Sequence, residues 1–258
     1  MKSSQLRRNT GWFGLGSILL GLLAWDLVAR FGNLPAFILP SPAEVWARFL
    51  KAAADGSLFV HAAVTLLEIV LGLGVGVLLA TVLGYLVARS RVLERALSPY
   101  LVASQAVPLV AIAPLLVIWF GPGMFSKVLI CSLIVFFPVL VNTIVGVRAV
   151  PPALHDLMRS YHAARRDILF KLEVPSALPI FLGGLRIGAT LSVIGAVVGE
   201  LVGADSGLGF LINVGRGQYD TALVFVALFT LMALALGLYG LVILVERRFL
   251  AWQESVER

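Results

Sequence analysis

Residues 64–88 read VTLLEIVLGLGVGVLLATVLGYLVA, twenty-five positions that hold one charge, Glu68. A bilayer hydrocarbon core of about 30 Å needs about 20 predominantly apolar residues per helix, so this stretch is long enough to cross. Gly72, Gly76, Ala80 and Gly84 recur every fourth residue within it. That spacing lines one helical face with small side chains and lets a second backbone approach closely. Nothing alternates with a period of two, which excludes a transmembrane barrel strand. In lipid a lone segment satisfies its backbone only as a helix.

Five more apolar runs follow the same pattern, at about 11–31, 100–120, 126–148, 177–203 and 221–245, each flanked by charges, Pro or Gly. The expected fold is therefore all-α and polytopic, six transmembrane helices in a single membrane domain over residues 1–258. Composition agrees: 60% of the chain is apolar and 13% charged, against about 45–50% and about 25% in soluble domains. The net charge of +6 lies in short clusters between apolar runs, which excludes a nucleic-acid partner and leaves the lipid bilayer as the first one. The run at 11–31 follows Lys2, Arg7 and Arg8 like a secretory signal, but no A-x-A site comes after it. Asp26 and Arg30 also stand at i, i+4, where they can pair, so it reads as a retained helix.

An even number of crossings puts both termini on one side. With the termini in the cytoplasm, fifteen basic residues fall inside: Lys2, Arg7, Arg8, Arg89, Arg91, Arg95, Arg148, Arg159, Arg165, Arg166, Lys171, Arg186, Arg247, Arg248 and Arg258. Five fall outside: Arg30, Arg48, Lys51, Lys127 and Arg216. The positive-inside rule selects this orientation in a cytoplasmic membrane. It makes 32–63 an outer segment, 89–99 a short inner loop and 149–176 the longest inner connection. Ser41-Pro42-Ala43-Glu44 in the outer segment is a helix start, with Ser41 as cap, Pro42 at the first helical position and Glu44 completing a capping box. It predicts a short surface helix over about 42–54.

The fifth run repeats the small-residue device on two faces, Gly184, Gly188, Ser192 and Ala196 on one and Gly195, Gly199 and Gly203 on the other, which predicts packing on two sides. Pro108 and Pro114 lie inside the third run, where each removes a backbone donor and forces a kink or opening. Such breaks are tolerated where neighbours or a water-filled path re-satisfy the backbone, so Gln105, Pro108 and Pro114 are candidates to line a translocation path.

Acidic residues within the runs are few: Asp26 and Glu68 near the boundaries, and Glu200. That scarcity argues against a proton-driven carrier, which needs a mid-membrane relay. Glu200 reads either as an acid reaching the outer interface or pairing with Arg216, or as a path or gate residue. His61, His155 and His162 have no acid or Cys at ligand spacing, so no metal site is expected. Cys131 has no intrachain partner. No Ser/His/Asp arrangement and no G-x-x-x-x-G-K-[ST] loop is present, so the chain is expected neither to be an enzyme nor to hydrolyse ATP, and no cofactor is implied.

The connection 149–176 carries apolar residues at helical spacing, Leu154, Leu157, Met158 and Tyr161, then Ile168, Leu169 and Leu172, which predicts two short amphipathic helices joined near 160–165. An apolar stripe on an inner segment wants a partner. The segment resembles the coupling loop of ATP-binding-cassette importer permeases, whose pattern is E-A-A, three residues, G, nine residues, I-x-L-P. Asp156-Leu157-Met158 stands at E-A-A, His162 at the Gly, and Leu172 to Pro175 at I-x-L-P. His162 in place of Gly would move the sharp turn to Ser160 or Ala163.

Further stretches resemble the nitrate/sulfonate/taurine branch of that family: Leu39-Pro40-Ser41-Pro42, Pro108 to Pro114 with Trp119-Phe120-Gly121, Gly183-Gly184-Leu185-Arg186, and Gly199-Glu200 with Gly207-Leu208-Gly209. The resemblance implies a permease subunit that forms the path for a small solute, either an anion or a vitamin-precursor-like heterocycle. It implies a separate cytoplasmic ATPase, a periplasmic substrate-binding protein and a second copy of the chain as partners. Asp156, Leu157, Met158, Ser160, His162, Ala163, Leu172 and Pro175 are then the ATPase-coupling residues. A stand-alone secondary transporter is the alternative; it predicts repeat symmetry or mid-membrane ion ligands, which the sequence lacks.

Overall fold

The computed structural model describes residues 3–32, 35–106 and 108–250, and for residues 3–15 and 104–106 the backbone course alone. The described elements are α1 (Ser3–Phe31), α2 (Pro42–Ala54), α3 (Ser57–Arg89), α4 (Arg91–Ala106), α5 (Leu109–Phe120), α6 (Met124–Arg148), α7 (Pro152–Ser160), α8 (Arg165–Ile168), a π-helical turn (Leu169–Glu173), α9 (Val174–Gly203), α10 (Leu208–Gly217) and α11 (Thr221–Phe249). Among the described residues four helices are long and apolar enough to cross a membrane: Ser57–Arg89, Met124–Arg148, Arg165–Gly203 and Thr221–Phe249. The expected first crossing coincides with α1, of 29 residues. The expected third is divided into α4 and α5 at Pro108, whose ring and missing N–H end the first piece.

Two compact units are present, residues 1–60 with 211–229, and residues 61–210 with 230–258. In the first, α2 starts as its sequence predicts: Ser41 caps Glu44 N–H at 3.3 Å and Glu44 returns a bond to Ser41 N–H at 2.7 Å. Trp25 of α1 donates its Nε1–H to the Pro40 carbonyl at 3.0 Å and stacks on Phe225 of α11. Arg48 of α2 pairs with Asp220, just before α11, at 2.7 Å. The expected Asp26–Arg30 pair forms at 2.8 Å.

The second unit is built around α6, which buries Ile130, Cys131, Val135, Val139 and Leu140. The small stripe of α3 lies on it as predicted: a Cβ at Gly76 would stand 2.8 Å from the Ser132 carbonyl, and one at Gly84 2.8 Å from Thr143 Cβ. Both stripes of α9 turn out to face α6. Gly184 meets Asn142, Gly188 meets Val135 and Val139, Gly195 meets Cys131 and Gly199 meets Lys127, while Gly203 reaches Val117 of α5. The expectation of two separate packing sides is thereby corrected. Contact this close is how helices associate in lipid, where burial from water supplies no drive.

Three boundaries differ from expectation. The inner loop 89–99 is mostly the first part of α4. The helix that holds the expected fifth crossing starts at Arg165, ahead of residue 177, because α8, the π turn and α9 run on as one 39-residue helix. The expected second short helix of the 149–176 connection is therefore its first turns rather than a separate element. α10 was not anticipated.

Candidate functional site

α7 begins with Pro152 in its first turn, where a missing N–H costs nothing. Its residues divide between two faces. Leu154, Leu157 and Tyr161 are 39%, 51% and 77% exposed, whereas His155 and Met158 are half-buried. An apolar ridge is thus turned outward on a helix whose polar His155 is turned in. Asp156 and Ser160 are also exposed, and Ser160 Oγ donates to the Leu157 carbonyl at 2.7 Å.

The chain reverses directly after α7. His162 adopts φ +52°, the left-handed conformation, and its N–H donates to the Arg159 carbonyl at 2.9 Å. The turn therefore stays at the position where the importer pattern has Gly, not at Ser160 or Ala163. A His tolerates this region at moderate cost. Ala163 closes the turn with a 3.0 Å bond to the Met158 carbonyl.

Beyond α8 the helix widens to a π turn over Leu169–Glu173. Pro175 follows in the first turn of α9. It has no N–H for the Lys171 carbonyl and its ring crowds that carbonyl, which gives the wider turn a cause. Leu172 and Pro175 are half-buried here. Glu173, which the sequence reading passed over, is 1% exposed. His155 Nε2 stands 2.9 Å and Arg89 Nη1 3.1 Å from its Oε1, and Tyr85 donates to its Oε2 at 3.1 Å. One carboxylate so gathers α7 and the end of α3 onto the base of α9. Nearby, Arg148 at the end of α6 hydrogen-bonds Glu94 of α4 and holds that exposed carboxyl below its usual range.

Glu200 lies near the other end of α9 and is fully buried. Thr65 of α3 donates to its Oε1 at 2.6 Å and Gly209 N–H to its Oε2 at 2.5 Å. Thr65 Oγ1 accepts Leu208 N–H at 2.8 Å, and His61 Nδ1 accepts Gly207 N–H at 3.0 Å. The acid clasps the segment that leads into α10, and the reading of it as an interfacial acid is corrected to an enclosed one. Glycines are required beside it: Gly207 has φ +111°, and a Cβ there would lie 2.0 Å from Glu200 Oε1. Glu68, expected near a boundary, and Lys127, expected outside, are both buried and pair at 2.8 Å. An acid and a lysine on two facing apolar helices were the available signal.

Pro108 and Pro114 are exposed on α5. Glu200 is enclosed, so one chain does not bring these three together. The Gln105 side chain lies outside the described residues. Among the described residues no group of three His, Cys, Asp or Glu is placed to hold a metal ion.

The family profile described as "Binding-protein-dependent transport system inner membrane component" matches residues 72–251. The riboflavin transport system permease protein RibX of Chloroflexus aurantiacus is 45% identical over 95% of this chain and 92% of its own length. The formylaminopyrimidine transport permease protein ThiX of Halalkalibacterium halodurans is 36% identical over 92% and 94%. The taurine transport system permease protein TauC of Escherichia coli is 33% identical over 94% and 90%. A chain of the methionine ABC transporter MetNI, solved in inward-facing conformations, has the same fold, with a TM-score of 0.63 at 20% identity over 76% of this chain and 98% of that one.

Proposed function

Because the chain belongs to the binding-protein-dependent transport system inner membrane components, and is the multi-pass permease subunit of an ATP-binding-cassette importer rather than an enzyme, we propose how its parts serve that role. The family assignment displaces the stand-alone carrier. Such a permease works with an ATPase and a substrate-binding protein. α7 is the segment that the ATPase grips. The observation that carries this reading is the outward ridge of Leu154, Leu157 and Tyr161 on a helix that follows the spacing of the coupling loop. An exposed apolar ridge of this kind suits a groove on a partner, the helix-in-groove mode.

The remaining parts fit the same scheme. Both termini lie in the cytoplasm, on the charge bias, which puts α7 inside and the Glu200 clasp toward the periplasm. Two copies enclose the path, with the exposed Pro108 and Pro114 on its wall and the whole chain acting as one permease domain. The solute is a flavin-like or pyrimidine heterocycle, since relatives named for riboflavin and formylaminopyrimidine share 45% and 36% identity with this chain, and the taurine permease 33%.

Single cysteines at Ser160 or His162 in a Cys131→Ser background, paired with cysteines around the ATPase groove, should crosslink in the assembled complex. Leu157→Asp should abolish co-purification with the ATPase and leave membrane insertion intact. Absence of both effects would remove α7 from the interface. Competition of unlabelled riboflavin, formylaminopyrimidine and taurine for uptake separates the solute classes.

A further inference from the structure

We propose that Glu173 is a positioning residue that links α7 to α3, so that a displacement of α7 by the ATPase reaches α3 as well as α9. The proposal rests on the reading of α7 as the ATPase-docking helix. Five observations carry it.

Glu173 is 1% exposed, and a buried carboxylate is retained at a cost unless it is paired on its remaining lone pairs. Its partners come from two elements far apart in sequence: His155 of α7 at 2.9 Å, and Arg89 at 3.1 Å with Tyr85 at 3.1 Å from the last turns of α3. His155 is half-buried on the side of α7 opposite Leu157, so a partner gripping the ridge leaves the Glu173 contact undisturbed. A load applied to the outer face is passed through the helix to the carboxylate.

α3 is packed directly on α6 beside this level, where Gly84 lies against Thr143, so the bonds to Glu173 act next to that contact and supply the direct polar link from α7 to the end of α3. A cavity of about 170 Å³ adjoins the carboxylate, lined by residues that include Thr81 and Tyr85 of α3, Thr143 of α6 and Phe181 of α9. The π turn that holds Glu173 is also a wider and less regular part of the helix, of the kind found at functional sites. α9 is joined to α7 through the backbone, and α7 to the end of α3 through the Glu173 carboxylate.

The test uses the full permease with its ATPase in proteoliposomes, with a nitroxide label on a cysteine at Arg91, just past α3, in the Cys131→Ser background. Label mobility is compared without nucleotide and with ATP and vanadate, which needs no knowledge of the solute. The parent complex should show a nucleotide-dependent change. Glu173→Gln and His155→Gln should each abolish that change while ATPase co-purification and hydrolysis stay within about twofold, and the double variant should add nothing further, as expected of groups acting as one unit. Glu173→Asp, which keeps the charge, should restore part of the response. A label response that persists in both Gln variants overturns the proposal, as does a parent complex with no response. Failure of both Gln variants to assemble with the ATPase overturns it too, since Glu173 would then serve folding alone. Leu157→Asp separates the two readings: if it still binds the ATPase, the docking assignment fails whatever Glu173 does.

Discussion

Lys127 and Glu68 stand 59 positions apart in the chain and meet at 2.8 Å, Nζ to Oε1, with their side chains 5% and 0% exposed. Lys127→Met leaves Glu68 buried without its cation, and breaking a buried pair in this way costs about 3–5 kcal/mol. Adding Glu68→Gln removes the uncompensated charge, so the double variant should lose less than Lys127→Met alone. Thermal unfolding in detergent, followed by size exclusion, should rank the parent above the double variant and the double variant above Lys127→Met. An unchanged melting temperature for Lys127→Met would show that the pair contributes nothing.

The Glu200 clasp makes a prediction about glycine. Gly207 has φ +111°, and an added Cβ would fall 2.0 Å from Glu200 Oε1 and 2.3 Å from its Cδ. Gly207→Ala therefore meets both backbone strain and a collision with an enclosed carboxylate, each a recognised source of large destabilisation. Shortening the acid removes the collision and keeps the strain. Melting temperatures should thus fall for Gly207→Ala, and the loss caused by Gly207→Ala should be smaller in a Glu200→Ala background than in the parent. Equal losses in the two backgrounds would mean that strain alone accounts for the glycine.

Run length and small-residue spacing made the helices legible, because both are properties of a single segment. The capping box at Ser41 and Glu44 was legible for the same reason. The acids were not. Glu68 and Glu200 look isolated in sequence, and their partners Lys127 and Thr65 come from other helices. Glu173 sat at the unspecified position of the coupling-loop pattern, and its partners Arg89 and His155 are brought to it only by the π turn and the reversal at His162. The two stripes of α9 share a face because Gly188 and Gly195 are seven residues apart, nearly two full turns, so that both meet α6.

The orientation is open to direct measurement. With both termini placed in the cytoplasm, fifteen of the twenty Lys and Arg residues fall on their side. Reporter fusions after Gly56 and Ser206 should give periplasmic signals, and fusions after Arg91 and Asp167 cytoplasmic ones. A cytoplasmic signal at Gly56 would invert the arrangement, because the basic bias and the fusion would then disagree about the same loop.

The reversal at His162 gives the most direct handle on the proposed coupling segment. Its φ of +52° is a conformation that glycine adopts freely and that costs other residues roughly 1–2 kcal/mol. His162 is exposed, so its imidazole does not offset the strain through packing. His162→Gly relieves the turn and restores the residue of the importer pattern, at the expense of a more flexible unfolded chain. The two effects roughly cancel, and ATPase binding and uptake should stay close to the parent. His162→Val moves the other way, since a β-branched side chain is an outlier in this region. The turn should then open, the Ala163 to Met158 bond should be lost, and the angle at which α7 presents Leu157 should change. Titration of the reconstituted permease with its ATPase should show affinity falling for Val and retained for Gly, with membrane insertion equal in both. Equal affinity in the two variants would mean that the reversal does not set the docking geometry of α7.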